Sequence, residues 1–431
     1  MPSGFQPTLV DDRIKGIPGG TAPFRLEDIA AKQWNVLRED LPLPVAVLKE
    51  SALTHNSRWM QRLVGLSGAF ICPHGKTTMS PELFARQIDD GAWGITLANA
   101  SQLHVARAYG IERVLLANQL IGKQGIRYVL DELARDPKFD FYCLVDSTDG
   151  VAILADAAGQ RAIGRPLQVL VEGGFVGGRT GCRDLTTAID VARRVKAAEP
   201  FLALRGVEGF EGIIAHLDPT TAEQRVRALL EFLVEIAVAC AREGLFSDGP
   251  IVLTAGGSSF YDLVLDRFRE NHLDRQVRVV TRSGCYLTHD SGAFVKQFAA
   301  ILERSPDARS LGDGLKPALE VWAYVQSRPE SQRVLLTMGK RDCSYDMGLP
   351  MPLLWFRPNL HDRPERLTPG YSISALNDQH AYLDVPVDSP LRVGDMIGSG
   401  ISHPCTTFDK WQALPVVNDD YDVVSAVRTF F

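Results

Sequence analysis

Residues 68–82, GAFICPHGKTTMSPE, decide how the fold is interpreted. The apolar run GAFIC is followed by Pro-His-Gly, which predicts a strand that ends in a turn. Ser80 and Pro81 then predict the start of a helix, because serine suits the N-cap and proline suits the first helical position. Lys76 therefore lies at the exit of a strand, where α/β folds build their sites and where a desolvated lysine is a nucleophile. By position alone a solvated loop lysine is the commoner case, so other features must decide.

Strand-like and helix-like segments alternate with short connections across residues 44–305, beginning with the apolar run PVAVLK at 44–49. The strands are apolar without period-two alternation, as expected when both faces of a parallel sheet are covered. This pattern predicts an α/β fold of the (β/α)8 TIM-barrel type, with an open doubly wound sheet as the alternative. In residues 306–431, short runs separated by Gly, Pro and Asp predict a C-terminal all-β domain, and residues 1–43 are expected to pack on it.

Composition excludes several classes of partner. The net charge is −6 and no basic run is present, which argues against binding to nucleic acid or to anionic membranes. No stretch approaches about 18 uninterrupted apolar residues, and the first residues lack the pattern of a signal peptide. The seven cysteines are scattered, odd in number and without a CxxC motif, which is typical of reduced thiols. We therefore expect a cytoplasmic protein that acts on a small molecule.

Two glycine-rich stretches, TAGGSS at 254–259 and RSGCY at 282–286, each follow a late strand. Backbone N–H groups at such strand ends can hold a phosphate, although the glycines could also serve only tight turns. Neither the Walker pattern nor GxGxxG is present, so a vitamin phosphate or a mononucleotide is favoured over ATP or NAD. The candidate phosphate-binding residues are Gly256, Gly257, Ser258, Gly284 and Cys285.

Three further residues are candidates for the site. Arg179, in GGRTG after another strand, is either a fixed cation for an oxyanion or ring hydroxyl, or a surface charge. His403 and Cys405, in SHPC, would point to the same side of an extended segment, and imidazole plus thiolate suits zinc. Two ligands leave an open site that water or substrate could complete. The alternative for this pair is a buried histidine and a buried cysteine in the β domain.

The motifs PHGKTT, GRTG, GGSSFYD, RSGCYLTHD, NDQHAYL and VGDMIGSGISHPCTTFD occur in this order between about residues 44 and 420. Together they resemble the D-threonine aldolase and D-serine dehydratase family of pyridoxal-phosphate enzymes, which has the alanine racemase-like fold (fold type III). The resemblance implies that Lys76 forms the Schiff base with pyridoxal 5'-phosphate and that Arg179 faces the cofactor ring. It implies that the glycine-rich loops hold the phosphate and that His403 and Cys405 hold a divalent metal. It also implies a homodimer.

Cys405 makes the resemblance more specific. Family dehydratases resemble this His-x-Cys form with zinc, whereas the aldolases more often carry His-x-Asp, and a thiolate is the softer ligand. The implied function is a zinc-dependent deaminase of the D-serine dehydratase type, similar to the broad bacterial D-amino-acid deaminases. Phe210 stands where the family often has tyrosine, which leaves the partner of the cofactor's pyridine nitrogen open. NDQH at 377–380 stands where the family tends to have two glutamates before the histidine, which leaves the substrate open. A D-threonine aldolase, an amino-acid racemase and a non-enzymatic cofactor carrier are the alternatives.

Overall fold

The computed structural model describes residues 9–161 and 163–431. The strands, in chain order, are β1 (Leu9–Val10), β2 (Phe24–Arg25), β3 (Val45–Lys49), β4 (Phe70–Ile71), β5 (Ile95–Leu97), β6 (Arg113–Gln119), β7 (Asp140–Val145), β8 (Leu167–Gly173), β9 (Leu202–Gly209), β10 (Ile251–Ala255), β11 (Val277–Thr281), β12 (Leu319–Glu330), β13 (Arg333–Leu336), β14 (Met351–Phe356), β15 (Glu365–Arg366), β16 (Ser372–Leu376), β17 (Ala381–Asp384), β18 (Met396–Gly400), β19 (Ala413–Val417) and β20 (Val423–Arg428). The helices are α1 (Glu50–Leu66), α2 (Pro81–Asp89), α3 (Ala100–Ala108), α4 (Lys123–Arg135), α5 (Thr148–Gly159), α6 (Leu185–Ala197), α7 (Pro219–Arg242), α8 (Tyr261–Arg269), α9 (Ala293–Arg304), α10 (Pro306–Ser310) and α11 (Cys405–Phe408). Within the described ranges, none of these helices is long and apolar enough to cross a membrane.

Strands β4 to β11 form a parallel sheet that closes on itself. Their order is β4-β11-β10-β9-β8-β7-β6-β5, so consecutive strands are neighbours from β5 onward. The two ends of the sheet meet just beyond β4, where Thr96 N donates to Pro73 O over 2.9 Å and His74 bridges Thr96 in parallel. The predicted (β/α)8 TIM-type barrel is thereby confirmed, and the open doubly wound sheet is not found.

The barrel strands are buried on both faces, which explains their lack of period-two alternation. In β7, for example, Phe141 and Cys143 pack in the layer between sheet and helices, whereas Tyr142 and Leu144 fill the barrel interior. The interior cluster consists of Cys72, Trp93, Leu115, Ala117, Tyr142, Leu144, Leu170, Val252 and Val280. The interior of the barrel is therefore filled with side chains and is not a channel. In such barrels the space for a ligand lies at the carboxyl ends of the strands.

The second domain is an antiparallel sheet built around β12 and β18. The sequence pattern predicts a barrel over residues 44–305, which would make β3 its first strand. The structure instead places β3 in the antiparallel sheet of the β domain. Strand β3 pairs antiparallel with β12, Leu48 opposite Leu319, and parallel with β19. Strand β3 is buried on both faces, which is typical both of a barrel strand and of a strand in the centre of this mixed sheet. The apolar pattern of its sequence therefore does not distinguish the barrel from the β domain.

Residues 9–43 lie against the β domain through a shared apolar cluster. Ile29, Val36 and Leu41 are buried in it together with Trp322 and Met396. Within this segment, Leu26–Lys32 forms a 3-10 helix. Residues 1–8 of the segment expected to pack on this domain lie outside the described residues.

Candidate active site

Lys76 lies in a tight turn between β4 and α2. The turn is a 3-10 helix over Gly75–Thr77, and α2 begins at Pro81 with Ser80 as its N-cap residue. The Ser80 hydroxyl does not cap the helix but donates to Glu82 Oε2 over 3.0 Å. A Cβ at Gly75 would come within 2.8 Å of side chains from the first barrel units, so this turn has room only for glycine. Close packing therefore fixes the backbone that carries Lys76.

A cavity of about 290 Å³ opens beside Lys76 at the carboxyl ends of the barrel strands. This is close to the lower end of small-molecule sites, roughly 300 Å³. Lys76 itself is exposed, and its turn packs against helix α11 of the β domain. Of the residues predicted from the sequence, the cavity is lined by Lys76, Gly256, Gly257, Ser258, Gly284, Cys285, His403 and Cys405.

Arg179 was also expected to face the cofactor, but it does not line this cavity. Its side chain is exposed, and its guanidinium carbon lies 4.7 Å from the centre of the Phe210 ring. Phe210 in turn lines the cavity. The Arg179 guanidinium therefore makes a cation–π contact with Phe210, and Phe210 is the residue that lines the cavity.

The two glycine-rich loops contact each other at the base of the cavity. Ser258 Oγ lies 3.2 Å from Ser283 Oγ and accepts from Cys285 N over 3.4 Å. A Cβ at Gly284 would lie 2.5 Å from Thr77 Oγ1 and 2.7 Å from the His74 carbonyl oxygen. The loops therefore place bare backbone and one hydroxyl beside the Lys76 turn, as a phosphate cradle requires.

The polar groups around this cavity fit a polar ligand such as pyridoxal phosphate. Three atoms of residues in or beside its wall are buried without a hydrogen-bond partner among the described residues: His74 Nδ1, Arg282 Nε and Glu211 Oε2. The other Glu211 oxygen accepts from Gly257 N over 2.7 Å. Unsatisfied buried donors and acceptors cost free energy, so a ligand with complementary groups would stabilise them.

His403 and Cys405 lie where the chain passes from β18 into the short helix α11. The expected extended segment is absent here, since Cys405 is the first residue of that helix and Pro404 precedes it as the N-cap. Both side chains nevertheless line the cavity. His403 Nδ1 lies 2.7 Å from Oδ2 of Asp346, whose other oxygen accepts from Thr406 Oγ1 over 2.6 Å.

The charges in this corner favour a thiolate. Burial by itself lowers the pKa of His403, but Cys405 and Asp346 outweigh it and raise that pKa to about 9. Hydrogen bonds from Cys285 and His403 hold the pKa of Cys405 well below its usual range. Donation to Cys405 and burial raise the pKa of Cys285 well above its usual range. These contacts favour the thiolate form at Cys405, which is the form that ligates metals, with Cys285 as a hydrogen-bond donor to it.

Two relationships at the site were not predicted. Asp346 lies in the sequence DCSYDMG, whose loop character gives no periodic signal and no motif. Cys285 was assigned to the phosphate through its loop, yet its sulfur lies 3.8 Å from that of Cys405. The first contact joins residues 57 positions apart within the β domain, and the second joins residues 120 positions apart where the β domain packs on the barrel.

Comparison with known proteins agrees with this architecture. Residues 318–417 match the putative serine dehydratase domain. The chain is 24% identical over 382 residues to a D-threonine aldolase of Arthrobacter sp., covering 87% of this chain and 89% of that protein. It is 26% identical over 317 residues to the 3-hydroxy-D-aspartate aldolase of Paracoccus denitrificans (strain Pd 1222), covering 72% and 75%.

Solved structures share the fold at low identity. A D-threonine aldolase from Filomicrobium marinum superposes with a TM-score of 0.76 at 22% identity, covering 95% of this chain and 98% of that one. D-threo-3-hydroxyaspartate dehydratase from Delftia sp. HT23 superposes with a TM-score of 0.69 at 20% identity, covering 92% of this chain and 99% of that one. The structure of a cysteine-to-alanine variant of such a dehydratase is described as the metal-free form. An alanine racemase-like protein from Idiomarina loihiensis superposes with a TM-score of 0.67 at 15% identity, covering 90% of this chain and 96% of that one. The C-terminal β domain is thus similar to the putative serine dehydratase domain, the whole chain is similar to D-threonine and 3-hydroxy-D-aspartate aldolases, and its fold is that of an alanine racemase-like protein.

Proposed function

We propose that the protein is a pyridoxal-phosphate- and zinc-dependent deaminase of the D-serine dehydratase type. The observation that carries the proposal is that Lys76, the glycine-rich loops, His403 and Cys405 line one cavity. The overall reaction removes the β-hydroxyl and the amino group of a D-β-hydroxy amino acid and yields a 2-keto acid and ammonia.

Lys76 would bind the aldehyde carbon of the cofactor, and the N–H groups of Gly256 and Gly284 would hold its phosphate with the Ser258 hydroxyl, because Gly257 N already donates to Glu211. Bound pyridoxal phosphate supplies an electron sink for negative charge at Cα. With the cofactor and substrate bound, the Lys76 amine would be the base that removes the Cα proton. Its place on a closely packed turn fixes the direction from which the proton leaves.

His403 and Cys405 would hold the metal beside the β-carbon of the substrate. Zinc supplies Lewis-acid chemistry, which a hydroxyl leaving group needs. Asp346 accepts at His403 Nδ1 and so leaves Nε2 as the ligating atom, a relay that fixes ring orientation in metal sites. The thiolate of Cys405 favours zinc over harder divalent ions such as manganese or magnesium. Phe294 and Met347 line the same cavity and reduce the access of water.

A D-threonine aldolase is the second candidate, and a specific finding favours it. Both curated relatives are aldolases, of D-threonine and of 3-hydroxy-D-aspartate. An aldolase would break the Cα–Cβ bond, so the proton to be removed is that of the β-hydroxyl and not that at Cα. The same cavity could host either reaction, because both need the lysine-bound cofactor and a metal near the β-oxygen. The softness of Cys405 as a ligand is our reason for placing the dehydratase first.

The test is a panel of D- and L-β-hydroxy amino acids, each incubated with and without a chelator and scored for keto acid, aldehyde and ammonia. We expect keto acid and ammonia in equal amounts from D-substrates, and their loss on chelation. Glycine plus an aldehyde would replace the dehydratase by the aldolase. Loss of optical activity without other products, insensitive to the chelator, would indicate a racemase. No turnover of any substrate by the cofactor-loaded protein would support a carrier.

A further inference from the structure

We propose that Cys285 is a third protein ligand of the metal, so that the ion is held by two sulfurs and one imidazole nitrogen. The proposal rests on the proposed function for the presence of a metal beside His403 and Cys405. It goes beyond that function by assigning the side chain of Cys285, which the sequence assigns only to the phosphate loop. It also implies a site that joins the two domains of the chain.

The spacing of the two sulfurs carries the inference. Cys285 Sγ and Cys405 Sγ are 3.8 Å apart. Two sulfurs on one tetrahedral zinc ion, each about 2.3 Å from the metal, are separated by about 3.8 Å. A zinc ion can therefore bind both sulfurs without moving either residue toward the other. Cys285 is only 5% exposed, so its donor atom faces the site and not solvent.

The imidazole completes a three-ligand set. His403 lines the same cavity as both cysteines, and its Nδ1 is engaged by Asp346. Among the described residues, no three His, Cys, Asp or Glu side chains are already arranged to hold a metal ion. The two sulfurs already have the spacing of a shared zinc ion, so a three-ligand site requires His403 to rotate toward the position between them. Three protein ligands and one open position are the pattern of catalytic zinc sites.

The three proposed ligands come from both domains of the chain, so the metal would link the two domains. Cys285 follows β11 of the barrel, whereas His403 and Cys405 follow β18 of the β domain. A metal held by all three would tie the β domain to the open end of the barrel, directly beside the Lys76 turn. Removing Cys285 should therefore weaken both metal binding and the stabilisation that the metal gives to the folded protein.

The test is zinc-edge X-ray absorption on the cofactor-loaded enzyme, with zinc affinity measured by competition with a chromophoric chelator. We expect two sulfur neighbours at about 2.3 Å in the wild type and one in Cys285→Ser, with affinity reduced at least about 10- to 100-fold. The matched control is Cys182→Ser, because Cys182 is equally buried, donates to Asp146 O and does not line the cavity. It should keep two sulfurs and wild-type affinity.

The outcomes separate this proposal from the proposed function. One sulfur neighbour in wild-type enzyme that forms keto acid would overturn the role of Cys285 and leave the function intact. Two sulfurs in enzyme that forms no keto acid would support the ligand set and overturn the reaction. Absence of bound zinc would overturn both. If Cys285→Ser fails to fold, the sulfur count of the wild type still decides.

Discussion

His403 Nδ1 lies 2.7 Å from Asp346 Oδ2, and this contact fixes which nitrogen of the ring faces the cavity. With Nδ1 engaged, Nε2 is the nitrogen left for a metal. We predict that Asp346→Asn lowers zinc affinity about 10- to 100-fold and leaves the visible absorption of bound cofactor unchanged. Asp409→Asn is the control, since that exposed carboxylate pairs with Lys410 nearby and does not line the cavity. Equal zinc affinities for the two variants would contradict the orienting role of Asp346.

Lys76 should be required for stable binding of the cofactor. In Lys76→Ala we expect loss of the absorption band of lysine-bound pyridoxal phosphate and of all turnover, because Lys76 is the one lysine among the described residues that lines the cavity. Lys123→Ala, at the exposed start of α4, should behave as wild type. The measurement is an absorption spectrum after reconstitution and gel filtration. A band that survives in the Lys76 variant would show that the cofactor is held elsewhere.

Gly284 tests the phosphate cradle. A Cβ there would lie 2.5 Å from Thr77 Oγ1 and 2.7 Å from the His74 carbonyl oxygen, so the loop must shift. Overpacking of this kind costs about 1–3 kcal/mol, and we expect Gly284→Ala to weaken cofactor binding about tenfold or more. Gly65→Ala is the control, because a Cβ at that position in α1 meets nothing within 4 Å. It should leave cofactor affinity unchanged and stabilise the protein by about 0.5–1 kcal/mol.

Much of this arrangement was predictable from local sequence. The strand–turn–helix pattern around Lys76 placed that lysine at a strand end, and the two glycine-rich stretches placed backbone N–H groups beside it. Each of these features is encoded within a dozen residues. The apolar runs also predicted the barrel, because covered parallel strands lose their alternation.

The remaining features depend on contacts between distant segments. Strand β3 looks like a barrel strand, and only its pairing with β12 shows otherwise. Arg179 follows a strand as expected, but Phe210 separates it from the cavity. The contact of Asp346 with His403 joins distant segments of the β domain, and the contact of Cys285 with Cys405 arises when the β domain packs on the barrel. No local pattern encodes such a packing.

Stability in acid should depend on a buried ion cluster on the barrel. Arg107 Nε donates to Glu132 Oε2 over 2.8 Å, and the same guanidinium pairs with Asp136. Glu132 keeps a second partner in Arg135, so Arg107→Met removes hydrogen bonds to two carboxylates without leaving Glu132 unpaired, and we expect the free energy of unfolding to fall by about 1.5–3 kcal/mol at pH 7. Arg193→Met, which removes an exposed pair with Glu243, should change it little.

The pH dependence of that difference follows from the carboxyl groups. A hydrogen bond from Arg107 lowers the pKa of Asp136. Burial by itself raises the pKa of Glu132, but hydrogen bonds from Arg135 and Arg107 outweigh burial, so the pKa of Glu132 is also lowered. The stabilisation is present above the unfolded pKa values of about 4 and is lost as the pH falls through the lower folded values. Urea titrations should therefore show the wild type and Arg107→Met converging below about pH 4. A difference that stays constant down to pH 2 would contradict the ionic origin.

The most direct test of the central claim is keto acid formation by His403→Ala in the cofactor-loaded state. If Lys76 holds the cofactor and the His403–Cys405 pair acts on the leaving group, this variant keeps the absorption band of bound cofactor. It should lose keto acid and ammonia formation from a D-β-hydroxy amino acid by a factor of about 100 or more. Full deaminase activity in His403→Ala would contradict the role of the metal pair.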